Sequence, residues 1–265
     1  MESGKSHSKW TSTKAIKLAK IAPVNSKSKW AIVTGGTRGL GYETAKGLIA
    51  KGIFVYIIGK DETRAIQSSK ALGCKYRTVD VSDLKKFREV LKEITLDAVN
   101  QGLGVLDILV LAHGVMSDKM SKTLKTNDEE WRRTLSINLD AVFTAVNEVA
   151  PSMAEARNGR VIVYSACLGR MSGPGTHGGL APYRISKAGV NAFVKNLSYE
   201  TGLGARGFLV DAICPGHCRT DMGGPDAPRS AQEGAATAIW LATREFEVGK
   251  DKTGLLWEDQ QVVDW

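Results

Sequence analysis

Tyr183 and Lys187 stand four residues apart in the stretch 181–188, Ala-Pro-Tyr-Arg-Ile-Ser-Lys-Ala. Pro182 suits the first turn of a helix, where its missing N–H costs no hydrogen bond. A spacing of four places the phenol and the ammonium on one helix face. A neighbouring cation and the positive end of the helix dipole favour phenolate, which predicts a tyrosine pKa below the usual value of about 10. Such a tyrosine can donate a proton to a developing alkoxide near neutral pH. The same spacing occurs on ordinary amphipathic helices, so the pair takes its meaning from the loops upstream.

The first of those loops holds Gly35, Gly39 and Gly41 as G-x-x-x-G-x-G, between an apolar strand at 30–34 and an apolar-periodic helix running to about residue 51. Glycines let a backbone turn sharply and approach a pyrophosphate, whose charge faces the helix N–H groups. At the end of the second strand an acidic residue would hold a ribose 2′-hydroxyl, and a basic one accommodates a 2′-phosphate. The residue after Gly59 is Lys60, and Arg38 lies inside the glycine loop. Two cations in these positions point to NADPH rather than NADH. Asp61 reads as a helix N-cap.

Residues of this kind need a scaffold of alternating strands and helices, and the pattern of the chain supplies one. Strands are expected at 30–34, 53–58, 75–79, 105–111, 160–165, 208–213 and 254–257. Helices are expected at 61–72, 83–101, 182–201 and 230–243, with one or two more across 128–157. Such alternation predicts an α/β fold, a Rossmann-type doubly wound parallel sheet of about seven strands with helices on both faces, in a single domain over 30–265. The continuous apolar strands agree, being buried on both sides. Ligands then bind beyond the carboxyl ends of the strands.

Composition bounds the rest. At 265 residues the chain is about the upper size of a single-core domain. No apolar run approaches the roughly 18 residues needed to span a bilayer. Cys74, Cys167, Cys214 and Cys218 form no C-x-x-C pair, which suits a reducing compartment. Cys214, His217 and Cys218 sit in one short loop with no second cluster, so no metal site is read there. Residues 1–29 carry seven lysines against Glu2 alone, +6 of the net +8, which leaves +2 for the folded body. The basicity is that of a disordered, solubilising extension rather than of a nucleic-acid face. A targeting role or an anionic-surface contact is the alternative for this stretch. No membrane and no nucleic-acid partner is expected. The location expected is cytoplasmic, with organellar targeting by 1–29 left open.

With these motifs in order, the chain resembles the short-chain dehydrogenase/reductase family over roughly residues 30–257. Thr34-Gly35-x-x-x-Gly39-x-Gly41 matches its cofactor loop, including Thr37, Arg38 and Leu40, and Asp80-Val81 its adenine-contacting pair. Asn138 in Ser136-Ile137-Asn138-Leu139 matches the active-site asparagine, and Tyr183-x-x-x-Lys187 the catalytic pair. Cys214-Pro215-Gly216 through Thr220 matches the segment that folds over the nicotinamide. Together with Gln232-Glu233-Gly234-Ala235 and Trp265, this C-terminal third is most similar to the carbonyl reductase branch. The resemblance implies hydride transfer from NADPH to a small carbonyl compound, with Tyr183 as proton donor. Lys187 would lower the tyrosine pKa and bind the nicotinamide ribose, and Asn138 would relay protons through water. Family relatives pair through the two long helices starting near Asp128 and Pro182, or are monomers; both states stay open.

Two departures from the family pattern stand out. Its Asn-Asn-Ala-Gly is here Leu111-Ala112-His113-Gly114. Backbone contacts from Ala112 and Gly114 to a cofactor can survive this, and His113 reads as a packed neutral ring rather than an acid/base. The family's substrate-binding serine falls on Ala166, with Ser165 one residue early. A one-residue offset in a strand points a side chain to the opposite face. Ser165 is the expected donor to the substrate oxygen if the strand end is irregular, with Cys167 or Ser172 as substitutes. The glycine-rich loop 171–180 is expected to wall the substrate pocket, with His177 against substrate or solvent. Three readings remain: a carbonyl reductase, a reductase of a C=N bond or enone, and a catalytically weakened NADPH-binding protein.

Overall fold

Five consecutive buried residues, Trp30–Thr34 (β1), open the described part of the chain, which comprises residues 28–117 and 122–265 of this computed structural model. The expectations for the basic stretch at 1–27 lie outside the described residues. β1 lies at the centre of the sheet because both its faces are apolar. Trp30 and Ile32 enter one core layer, Ala31 and Val33 the other, as the two-residue period of a strand requires.

The chain then alternates as its pattern predicts. Helix α1 (Gly39–Ala50), β2 (Phe54–Gly59), α2 (Glu62–Leu72), β3 (Lys75–Thr78), α3 (Leu84–Asn100) and β4 (Ile108–Leu111) form the first half. Asp61 caps α2 by accepting from the Arg64 N–H at 2.7 Å, as read from the sequence. The second half comprises α4 (Asp128–Leu135), α5 (Ala141–Glu155), β5 (Gly159–Tyr164), α6 (Ala181–Glu200), β6 (Phe208–Ile213), α7 (Ala231–Thr243), β7 (Leu256–Glu258) and β8 (Gln261–Val263). A π-helical turn, Ser136–Asp140, joins α4 to α5, so the stretch 128–157 is two helices with a wide turn between them.

The sheet order is β3-β2-β1-β4-β5-β6-β7-β8, parallel throughout except for β8. The expected seven strands are therefore eight. β8 returns antiparallel along β7 through a two-residue turn, Asp259 and Gln260, both in the left-handed region (φ 50° and 60°). Hairpin turns of this shape usually announce themselves with glycine or asparagine. Asp-Gln does not, which is why the strand escapes a reading by pattern.

Helices α3, α5 and α6 cover one face, with Phe87, Leu91, Ile94, Val142, Val190 and Val194 against the strands. Helices α1 and α7 cover the other, through Ala45, Leu48, Ala238 and Leu241. Truncating one such buried leucine, Leu91→Ala for example, costs about 2–5 kcal/mol. No helix among the described residues is long and apolar enough to cross a membrane. Because β1 passes to β2 on one side and has β4 on the other, the strand order reverses beside β1, and a crevice opens beyond the carboxyl ends of β1 and β4.

Candidate active site

The glycine loop between β1 and α1 has to be glycine for steric reasons. Gly35 (φ 65°) and Gly39 (φ 53°) are left-handed, and a Cβ on Gly41 would lie 2.3 Å from the Gly35 carbonyl oxygen. A Cβ on Gly35 would meet the Ala112 carbonyl oxygen at 2.8 Å, so the loop nestles against the end of β4. Helix α1 starts without a side-chain cap, which leaves its first N–H groups facing the crevice.

That crevice is a cleft of about 450 Å³. It is lined by Gly35, Thr37, Arg38, Gly39, Leu40, Gly41, Lys60, Asp80, Val81, Ala112, Gly114 and Thr220, all anticipated from sequence. His113, expected near the cofactor, also lines it, as do Ser82, Val115, Arg133, Ile137, Asp221 and Met222, which were not anticipated. Pro215 and Gly216 lie outside the lining; Pro215 offers its carbonyl to Arg229 Nη1 at 3.2 Å, and a Cβ on Gly216 would sit 2.9 Å from that same nitrogen. Both cations at the mouth hold carboxylates: Lys60 Nζ is 2.7 Å from Asp80 Oδ2, and Arg38 pairs with Asp221. Burial opposes ionisation of Asp80, but hydrogen bonds from Lys60 and Ser82 outweigh it and hold the carboxyl at about 2. A backbone cradle that any Cβ would fill, a helix N-terminus and two cations near the end of β2 together fit a phosphorylated dinucleotide.

At the other end of the cleft three elements converge on Gly114. A Cβ there would lie 3.4 Å from Asn138 Oδ1 and 3.6 Å from Lys187 Nζ. Lys187 on α6 is buried and donates to the Tyr164 carbonyl at the end of β5 at 2.6 Å. Burial lowers its pKa to about 8. Asn138, on the π-helical turn, accepts from the Val115 N–H at 2.8 Å and donates to the Val115 carbonyl at 2.9 Å and Ser186 Oγ at 3.0 Å. Ser186 in turn donates to the Tyr183 carbonyl at 2.7 Å, which ties the asparagine to the first turn of α6.

Tyr183 lies on the same helix face, with Lys187 Nζ 5.9 Å from its ring centroid. No described residue hydrogen-bonds its hydroxyl. Its pKa does not fall as the lysine and helix dipole predict. Burial raises it above the usual tyrosine range, and Cys167 and Cys214 nearby add to the rise. Desolvation of the phenolate outweighs the single cation.

Ser165 has its hydroxyl engaged within the fold. It is buried on the α6 side of the sheet, and its hydroxyl donates to Asn191 Oδ1 and faces the Lys187 carbonyl at 3.4 Å. Ala166 is extended (φ −159°, ψ 155°), so the next side chain turns to the opposite face. The Ser165 N–H continues the ladder to the Ile213 carbonyl at 2.8 Å, and its hydroxyl is taken up by Asn191. Cys167 opens the short turn Cys167–Gly169, and the neighbouring Cys214 thiol pulls the Cys167 thiol pKa down. Ser172 Oγ faces the Trp265 carbonyl at 3.4 Å. His177 follows the turn Gly173–Thr176 and is exposed. His113 is packed and neutral: burial, then the Lys187 charge, lower its pKa to about 3, and Nδ1 lies 2.6 Å from Thr34 Oγ1. Its Nε2 has no geometric partner among the described residues.

With this geometry in view, comparison with known proteins is informative. The family described as short chain dehydrogenase matches residues 29–230. The 3-oxoacyl-[acyl-carrier-protein] reductase FabG of Escherichia coli K12 is 34% identical over 201 residues, 75% of this chain and 77% of its own. A single-substitution variant of actinorhodin polyketide ketoreductase, solved with NADPH, is 25% identical over 83% of this chain and 92% of its own, with a TM-score of 0.71. A short chain dehydrogenase from Shigella flexneri 2a, solved with NADP, shares the fold at a TM-score of 0.75, with 19% identity over 91% of this chain and all of its own (100%). Fold, glycine loop and family match agree: the chain is an oxidoreductase of the short-chain dehydrogenase/reductase family.

Proposed function

We propose that the chain uses NADPH to reduce the carbonyl group of a small ketone, aldehyde or quinone. Residues 30–265 form the reductase domain in this reading, and 1–29 are an extension to it. The observation that carries it is that Asn138 and Lys187 meet at Gly114, which lines a dinucleotide-shaped cleft, with Lys187 Nζ 5.9 Å from the Tyr183 ring centroid. The names of the relatives support the reaction class, one acting on a 3-oxoacyl group and one solved with NADPH. The likeness of residues 214–265 to carbonyl reductases belongs to the same proposal.

The cleft residues divide the binding work. The loop glycines and the start of α1 take a pyrophosphate, and Arg38 and Lys60 exchange Asp221 and Asp80 for a 2′-phosphate. When bound, the dinucleotide supplies the hydride. Tyr183 holds a proton on its hydroxyl at neutral pH, because burial keeps it neutral, and gives it to the oxygen that becomes an alkoxide. Lys187, charged below about pH 8, stands ready to stabilise the phenolate left behind. The Tyr164 carbonyl fixes its position, and Asn138 locks the π-helical turn to Val115 and α6.

The test is oxidation of NADPH and of NADH, followed at the nicotinamide absorbance, against quinones, diketones, aldehydes and cyclic imines. Carbonyl turnover with NADPH preferred supports the reading. A second reading, reduction of a C=N bond, is favoured by Ala166, since an iminium has no oxygen for a serine to hold; turnover of imines alone would establish it. NADPH binding with no turnover would favour a binding protein.

A further inference from the structure

We infer that Arg184, next in sequence to Tyr183, is a positioning residue that sets substrate specificity by clamping the 168–179 segment as one wall of the pocket. The inference rests on the carbonyl-reductase reading for what the wall encloses. The guanidinium faces four backbone carbonyls of that segment. Nε donates to Gly179 at 2.9 Å, and Nη1 faces Pro174 at 3.2 Å, Gly175 at 3.3 Å and Leu168 at 3.5 Å. These oxygens come from both arms of the loop, so one side chain ties its start, middle and end to the first turn of α6. Neutral carbonyls bonded to a guanidinium give charge-assisted hydrogen bonds, roughly twice as strong as neutral ones.

The segment needs such a clamp. Glycines at 173, 175, 178 and 179 leave it few side chains with which to pack. Gly175 folds so tightly on Arg170 that a Cβ would lie 1.7 Å from the Arg170 carbonyl oxygen. The loop ends on Leu180 in the left-handed region (φ 53°), a costly conformation for a leucine that the surrounding bonds have to hold. The first arm has one further tie, Met171 N–H to the Trp265 carbonyl at 3.0 Å. The segment leads directly into Tyr183, and Cys167 just before it lies close enough to act on the tyrosine's ionisation. With so few side chains in the segment, where its backbone is held sets its place beside Tyr183.

Arg184→Met keeps the stem and removes every donor, and Arg184→Lys keeps the charge but not the fork. Hydrogen exchange of the 168–179 amides, NADPH affinity and kcat/KM for a small and a bulky ketone are measured for both and for the wild type. The expected result for Arg184→Met is exchange faster by about tenfold in that segment alone and a ratio of kcat/KM between the two ketones changed by about tenfold. NADPH affinity is expected to stay within about twofold, with Arg184→Lys intermediate. Unchanged exchange overturns the clamp. Equal loss on both ketones with an unchanged ratio also overturns it, because Arg184 would then act on Tyr183 and not on the wall. If the wild type reduces no ketone, the functional reading fails separately, and the exchange comparison still decides whether the clamp exists.

Discussion

Ser165 donates its hydroxyl to the Oδ1 of Asn191, which lies eight residues beyond Tyr183 on α6. The side chain that follows, Ala166, is extended and half-buried at the end of β5, where the family keeps a serine. Ala166→Ser should therefore place a second donor beside Tyr183, at the position where the family keeps its serine. We expect kcat/KM for a ketone to rise about tenfold, less than the hundred-fold that loss of such a donor costs in an optimised site. Steady-state kinetics against the same ketone checks it; an unchanged or lower value would show that another group already holds the oxygen.

Tyr183→Phe removes the proton donor without emptying the space it fills. Turnover should fall by about 10²–10⁴-fold. NADPH affinity, read by nicotinamide fluorescence, should change little, because the cleft lining does not include Tyr183. Retained turnover would move the proton donor elsewhere, and Cys167 would be the first residue to examine.

Arg38→Ala and Lys60→Ala should each weaken NADPH by about tenfold, the effect of losing one charge-assisted bond to phosphate. NADH affinity should stay the same or improve slightly, since Asp221 and Asp80 then lose their partners and face a ribose hydroxyl instead. Equal losses for both nucleotides would show that the cations serve the pyrophosphate rather than a 2′-phosphate.

His113 sets an acid limit on stability. Its folded pKa, about 3, lies below the unfolded value of about 6.5, because burial and then Lys187 disfavour the charged ring. Between these values the unfolded chain binds one more proton than the folded one, so stability falls as pH drops below about 6.5. By pH 5 this residue alone costs about 2 kcal/mol relative to pH 7. Denaturant unfolding at pH 7 and pH 5 should show that His113→Ala, whatever it costs at pH 7, loses about 2 kcal/mol less than the wild type on acidification. Equal losses would mean that the ring is already charged in the fold.

Much of the site is legible because its determinants are local. The loop Gly35–Gly41 and the pair Tyr183 and Lys187 each lie within one turn or one loop, where spacing alone fixes geometry. Arg38 and Lys60 are readable because parallel strands end on one edge of the sheet, which brings the ends of β1 and β2 together. Strand alternation likewise foretells that Ser165 and Ala166 face opposite ways.

By itself, then, the sequence determined the α/β alternation, the dinucleotide loop, its two cations and the tyrosine–lysine face, since short-range periodicity and backbone sterics govern all of them. Tertiary structure decided the rest. The direction of the Tyr183 pKa depends on how deeply α6 and the loops bearing Cys167 and Cys214 bury the phenol, and burial is a sum over distant neighbours. The eighth strand depends on two left-handed residues, Asp259 and Gln260, whose types do not demand that shape. The Arg184 clamp depends on four carbonyls, which every residue owns and only a folded loop can aim at one guanidinium.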